Sequence, residues 1–235
     1  MKRQLFAIVV LALVTSAVGF NTVIRPVGNA TSDMITCKGW NIVDGDGKLR
    51  IAAGTLADGE ASVVWLDKDG KIRVVAGTRS DGIAGVTLKD KDEKVRIGAR
   101  TCADGEASVQ WFDKDEKIRI GAVTLANGNA AVQVLDKDGK LRINASTLPD
   151  GEASVGCLDT DEKIRIVAET LANGDADVTW LDKNEKVRIN AVTLANGNAA
   201  VQLLDKDEKG RIMAGTLANG TVLLPTKDET PPKKP

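Results

Sequence analysis

Ile118-Arg119-Ile120-Gly121-Ala122-Val123-Thr124-Leu125, then Ala126-Asn127-Gly128, then Asn129-Ala130-Ala131-Val132-Gln133-Val134-Leu135: two alternating stretches flank a short polar break. In the first stretch Ile118, Ile120, Ala122 and Thr124 share one side of an extended chain, and Arg119, Gly121, Val123 and Leu125 share the other. In the second, Ala130, Val132 and Val134 oppose Ala131, Gln133 and Leu135. A period of two, β-branched residues and bounding Gly, Asn and Asp clusters specify strands rather than helices.

The break reads as a hairpin turn. Ala126-Asn127-Gly128, Ala57-Asp58-Gly59, Ser80-Asp81-Gly82 and Pro149-Asp150-Gly151 occupy the same slot. A three-residue loop made of a type I turn and a left-handed residue wants Ala or Pro first, Asn or Asp second and Gly third. An odd loop also lets Thr124 face Ala130, which keeps both apolar sets on one side. The next turn, Asp136-Lys137-Asp138-Gly139, fits a four-residue loop that pairs Val134 with Leu141. Its last slot is often Glu (Glu93, Glu116, Glu162, Glu185, Glu208), where a left-handed backbone carries a cost.

Outward from this unit the pattern repeats. The marker Asp-x-Asp-(Gly/Glu)-Lys-(apolar)-Arg begins at Asp44, Asp67, Asp90, Asp113, Asp136, Asp159, Asp182 and Asp205, with departures at Asn184 and Gly210 and a remnant at Asp228. Every interval is 23 residues, with no insertion or deletion. Across units one face carries Ile, Leu or Val, then Ile or Val, then Ala and Thr on the first strand. On the second strand it carries Ala and Val and ends in Trp, Val, Leu or Cys. Trp65, Trp111 and Trp180 all take that last place, which reads as core anchors rather than a sugar-stacking platform. The opposite face starts with an Arg (Arg73, Arg96, Arg119, Arg142, Arg165, Arg188) and then varies, as a water-facing surface does.

The fold class is therefore all-β: tandem 23-residue β-hairpins stacked into an elongated antiparallel sheet, with a flattened β-solenoid as the alternative. A solenoid would stack Arg on Arg and Asp on Asp at ~4.8 Å, and like charges directly opposite are destabilising. A one-layer stack of hairpins instead leaves its apolar face bare, so it must curl into a closed tube or associate with copies of itself. A membrane barrel with that face outward is a poor match, because aromatic girdles are missing and both turns are tight.

The Asp-x-x-Gly-Lys-x-Arg turn, followed by an alternating strand and an Asp-Gly turn, resembles repeats in exported bacterial proteins of unknown function. That resemblance covers Trp40 to about Asp228 and implies export and repeat architecture rather than an activity. The period is also similar to that of MORN repeats, but their Tyr and Gly pattern is missing and nothing is carried over from them.

The chain divides as follows. Residues 1–20 form a signal peptide or N-terminal anchor: Met1-Lys2-Arg3-Gln4 is a basic head, Leu5 to Val14 an apolar run, and Thr15 to Gly19 a small-residue end. Residues 21–36 are a tether, 37–227 a repeat domain of about eight units, and 228–235 a disordered charged tail. Pro225 interrupts the last strand, and Pro and charge blunt a sheet edge. The expected location is outside the cytoplasm, secreted or at the cell surface, with membrane contact only through an uncleaved N-terminal segment.

Composition narrows the function. The formal net charge of −1, with both signs interleaved, offers no basic stripe for nucleic acid. The chain has no His, and no Gly-x-Ser-x-Gly, phosphate loop or dinucleotide fingerprint occurs. Asp-x-Asp suggests calcium, yet the fifth position is always Lys (Lys48, Lys71, Lys94, Lys117, Lys140, Lys163, Lys186, Lys209), a cation where a ligand should stand. We therefore expect no catalytic, cofactor-binding or metal-binding residues and no enzyme activity. Cys37, Cys102 and Cys157 are odd in number; Cys157 replaces a Trp, Val or Leu and reads as buried, with a Cys102–Cys157 bridge as the other option. Asn29-Ala30-Thr31, Asn144-Ala145-Ser146 and Asn219-Gly220-Thr221 match glycosylation acceptors, which matter only in a eukaryotic secretory setting. The expected role is an exported shaft, spacer or fibre subunit that self-associates as a homo-oligomer or fibre. The alternative is an extracellular adhesion module that holds a glycan or protein on its outer face.

Overall fold

A computed structural model describes residues 38–223, so the expectations for residues 1–20, 21–36 and 228–235, for Cys37 and for Pro225 lie outside the described residues. Seventeen strands run in chain order: β1 (Gly39–Val43), β2 (Leu49–Thr55), β3 (Ala61–Leu66), β4 (Ile72–Thr78), β5 (Ala84–Lys89), β6 (Val95–Thr101), β7 (Ala107–Phe112), β8 (Ile118–Thr124) and β9 (Ala130–Leu135). They continue with β10 (Leu141–Thr147), β11 (Ala153–Leu158), β12 (Ile164–Thr170), β13 (Ala176–Leu181), β14 (Val187–Thr193), β15 (Ala199–Leu204), β16 (Gly210–Thr216) and β17 (Val222–Leu223). Each strand pairs antiparallel with its neighbours in sequence, giving one open 17-stranded meander with β1 and β17 at its edges. The stacked-hairpin expectation holds; the solenoid and the closed tube do not, since neither parallel stacking nor a β1–β17 ladder is present among the described strands.

The Asn-Gly turns form as the residue chemistry requires. The Leu125 amide donates to the Asn129 carbonyl at 2.7 Å and the Gly128 amide to the Leu125 carbonyl at 3.0 Å. Gly128 takes φ 91°, where a Cβ would be strained. Thr124 then faces Ala130, Ala122 faces Val132 and Ile120 faces Val134.

The other turn departs from expectation. It too is a three-residue loop: the Asp136 amide donates to the Lys140 carbonyl at 2.9 Å and the Gly139 amide to the Asp136 carbonyl at 3.0 Å. Leu141 pairs with Leu135, and Val134 pairs with Ile143 rather than with Leu141. Arg142 is left over as a β-bulge, and the same shift recurs at every Asp turn, as between Phe112–Ile118 and Trp111–Ile120. The physical reason lies in the period of two. A three-residue loop alone would set Ile143 opposite Gln133 and turn the apolar set of β10 to the wrong side. One extra residue returns it to the side of Val134.

The bulge moves one residue per unit. Residues directly opposite in an antiparallel ladder share a face, so Ile118 lies on the face of Phe112, opposite to Ile120. The sequence placed Ile118 with Ile120, Ala122 and Thr124; the structure corrects this for Ile118 and its equivalents. These flipped residues form a narrow apolar row on the second face, where Leu66 pairs with Ile72. Ile72, 7% exposed, is the one buried hydrophobic side chain among the described residues. Among the described residues no second layer packs on this sheet, and its main apolar face covers nothing.

Candidate functional site

Two features stand out, a bare face and a stitched edge. The bare face is the side of Ile120, Ala122, Thr124, Ala130, Val132 and Val134 and their equivalents from β2 to β16. Pairing rows sort its side chains by size. At the Asp-turn end the row alternates bulky groups, as in Ile51–Trp65 and Ile97–Trp111. The middle row alternates Ala with Val, as in Ala53–Val63, and the row at the Gly-turn end alternates Thr with Ala, as in Thr55–Ala61. No strand position on this face carries a charge from β2 to β16.

The exposure is large for such residues. Val132 is 47% exposed, Val155 46%, Val201 46% and Trp111 38%. Of the Trp residues that read as core anchors, Trp65 and Trp111 stand at a surface and Trp180 is half-buried, and Cys157, which reads as buried, is only half-buried. Over the small rows the face sinks into a groove of about 970 Å3, bordered by Ala61, Ala76, Thr78, Ala84, Ala99 and Thr124. The same rows continue in a second hollow of about 390 Å3, bordered by Ala191, Thr193, Ala199 and Thr216. Soluble chains rarely tolerate a continuous apolar patch of more than a few hundred Å2.

The stitched edge is the column of Asp turns. In each, the first Asp closes the loop from within: Asp113 Oδ1 accepts the Asp115 amide at 2.9 Å and the Lys117 amide at 3.1 Å. The second oxygen meets the bulged Arg six residues on, as in Asp44–Arg50, Asp90–Arg96, Asp136–Arg142 and Asp205–Arg211. Both oxygens are thus committed within their own unit. These partners hold the carboxylates below their ordinary value of 3.8. For Asp205 the Lys209 amide outweighs the opposing desolvation and, with the Asp207 amide and Arg211, brings it to about 2. For Asp136 desolvation pushes upward, but the Lys140 amide, Arg142 and the Asp138 amide together prevail, again at about 2.

The marker's second Asp pairs with the Lys just before it, as in Lys114–Asp115, while its Lys, Arg and Glu join neighbouring units. The Lys in the fifth place reaches forward: Lys71 Nζ donates to the Lys91 carbonyl at 2.7 Å, Lys94 to Lys114 at 2.9 Å and Lys140 to Thr160 at 2.7 Å. The bulged Arg does likewise, Arg119 Nε donating to the Leu135 carbonyl at 3.0 Å. The Glu at the loop's last place reaches back: the Val95 amide donates to Glu116 at 3.0 Å, and the Leu141 amide to Glu162 at 3.1 Å. All five Glu sit at φ near +60°, from 59° to 61°. The sequence showed the cost of Glu there, but not the interunit hydrogen bond that offsets it. A carboxylate where other units carry Gly was the available signal.

The second face holds no built cluster. The varied positions Arg100, Ser146, Glu169 and Val192 point into different local pairs: Arg100 donates to Ser108 at 3.3 Å, Ser146 meets Ser154 at 3.1 Å, and Glu169 lies opposite Asp177. Among the described residues no group of three or more His, Cys, Asp or Glu could hold a metal ion. Cys102 and Cys157 are both free thiols. Cys102 follows β6 and Cys157 lies in β11, five ladder spacings away, or ~24 Å. A disulfide needs Cα atoms within ~7 Å, so a bridge within one chain is ruled out.

No family model matches the chain, and no curated protein matches it. Among solved structures it is similar to the TCP domain of SAS-4 (dCPAP) in complex with a proline-rich motif of Ana2 (dSTIL) from Drosophila melanogaster. That match has 15% identity and TM-score 0.40, over 74% of this chain and 88% of that one. A porin-like protein from Bacteroides uniformis matches at 10% identity and TM-score 0.21, over 79% of this chain and 91% of that one. A protein of unknown function from Bacteroides caccae matches at 16% identity and TM-score 0.16, over 81% and 75%. With TM-scores this low, the likenesses carry no inference about activity or partners.

Proposed function

We propose that this chain is an exported structural subunit, a shaft, spacer or fibre element outside the cytoplasm, that works by associating with copies of itself. One observation carries the reading: an uncharged apolar face runs the length of the sheet, and among the described residues no layer lies over it. Leaving it in water forfeits roughly 25 cal/mol for each Å2 of apolar surface, and an open sheet does not close over its own face. The signal-like residues 1–20 support export. The unbroken 23-residue period supports a mechanical role, since an active site needs one constellation in one place and this chain repeats its charged groups in every unit.

The test is the absolute mass of the chain from Asn21 onward, by light scattering on a sizing column. A dimer or higher assembly at micromolar concentration is the expected result. A monodisperse monomer at that concentration, with Trp fluorescence insensitive to dilution, overturns the reading.

A further inference from the structure

The same face says how two copies meet. We infer that a second copy of this chain lies on it with both chains running the same way, the bulky row of each filling the small-residue groove of the other. This rests on the self-association proposed above and adds its geometry.

The occupant follows from charge and area. From β2 to β16 the face presents no charged strand position, and its only polar groups are Thr hydroxyls, three Trp indole NH groups and the Cys157 thiol, so its complement must be uncharged over the same length. The second face of this chain cannot serve, because it carries the Arg50 and Arg96 guanidinium groups and the Glu169–Asp177 pair. The apolar face of a second copy does fit. At ~4.8 Å between strands and ~3.4 Å per residue, the face measures roughly 70 Å by 17 Å, about 1,200 Å2. A stable interface needs about 800 Å2 per partner, so one copy suffices.

The direction follows from the size gradient. Two sheets packed face to face about a two-fold axis have two simple choices. With the axis along the strands, the chains run oppositely and like rows meet: Trp65 and Trp111 would collide with bulky groups while Thr and Ala faced each other across a void. With the axis along the length of the sheet, each strand lies over its own copy and the rows cross. The Ile and Trp row then stands over the Thr and Ala row of the partner, and the groove beside Ala61, Ala76 and Ala99 receives it. Packed interiors tolerate neither overlap nor void, so the second choice prevails.

The test uses single cysteines in the middle row, in full-length protein whose Cys37, Cys102 and Cys157 are replaced by Ala. Val63→Cys lies in β3 and Val201→Cys in β15, equally far from the central strand β9. Circular dichroism and light scattering first establish that each variant is folded and associated. Mild oxidation is then expected to give disulfide-linked dimers of each variant alone, and a mixture gives no excess of the mixed pair. If only the mixed Val63→Cys/Val201→Cys pair links, the chains run oppositely and the inference is overturned. If the protein associates but nothing links, a different surface mediates association and the inference also fails. A monomeric mass instead removes the self-association reading itself.

Discussion

Replacing Glu116 tests the stitched edge at its most revealing point. The residue sits at φ 59°, a left-handed conformation that costs an ordinary side chain ~1 kcal/mol or slightly more. Its carboxylate accepts the Val95 amide, 21 positions earlier in the chain, at 3.0 Å. A partly solvated hydrogen bond of this type contributes ~1 kcal/mol net. Glu116→Gly removes the backbone cost and the hydrogen bond together, and adds ~0.5–1 kcal/mol of unfolded-chain entropy. The net change is a modest loss, under about 1 kcal/mol. Glu116→Ala keeps the backbone cost and loses the acceptor, a loss of ~1 kcal/mol. The Val95 amide separates both from a conservative change: each exposes its NH to exchange, whereas Glu116→Gln keeps an acceptor and retains most protection. The assays are the urea midpoint at fixed protein concentration and hydrogen exchange resolved at Val95. Glu116→Ala matching the parent in midpoint and in Val95 exchange refutes the interunit bond; a Glu116→Gly variant more stable by over 1 kcal/mol refutes the offset. The near balance accounts for the mixture of Glu with Gly47, Gly70 and Gly139 at this place.

Val132→Lys adds a charge at a 47%-exposed position: the lone chain should change by under ~0.5 kcal/mol, while an unpaired charge buried in an interface costs several kcal/mol. Association measured by light scattering should weaken more than about 100-fold, and unchanged mass would show that the face is not buried. Acid should unfold the sheet late. With folded values lowered and Asp136 and Asp205 at about 2, their contribution is complete above the ordinary 3.8 and is lost as pH falls from there toward 2. Circular dichroism that collapses already above pH 5 would contradict the paired turns. Gly77→Ala places a Cβ at 2.5 Å from the Ala61 carbonyl oxygen and should cost ~1–3 kcal/mol, while Gly121→Ala meets nothing within 4 Å and should be neutral or stabilising. Equal urea midpoints for the two would refute the close approach of β3 and β4.

The strands and the Asn-Gly turns could be read directly, because alternation and loop composition agree on one register: Thr124 opposite Ala130 follows from both. The Asp turn is ambiguous in the sequence for a definite reason. A four-residue loop and a three-residue loop plus a bulge return Ile143 to the same face, so the binary pattern of β10 fits both. Only Leu141 and its equivalents distinguish them, and an apolar residue beside Arg suits either side. Trp65 and Trp111 read as core because their neighbours are apolar; sequence reports hydrophobicity, while burial also needs an opposing layer, which the described residues do not supply. The bare face itself was foreseeable once hairpins were preferred to a solenoid. The reciprocal Lys and Glu contacts were not, since they join residues 20 or 21 apart that meet only after the turns are stacked.

The constant spacing of the Asp turns also makes length a heritable dimension. Each unit contributes two strands, or ~9.6 Å along the sheet. Its contacts reach only the adjacent units, as the forward Lys and backward Glu do. Near-identical repeats in a gene invite unequal recombination, and a gain or loss of whole units would leave every surviving loop, bulge and ion pair in place. Selection could therefore set the reach of such a molecule in ~9.6 Å steps, as a ruler is cut to measure, without redesigning a single side chain.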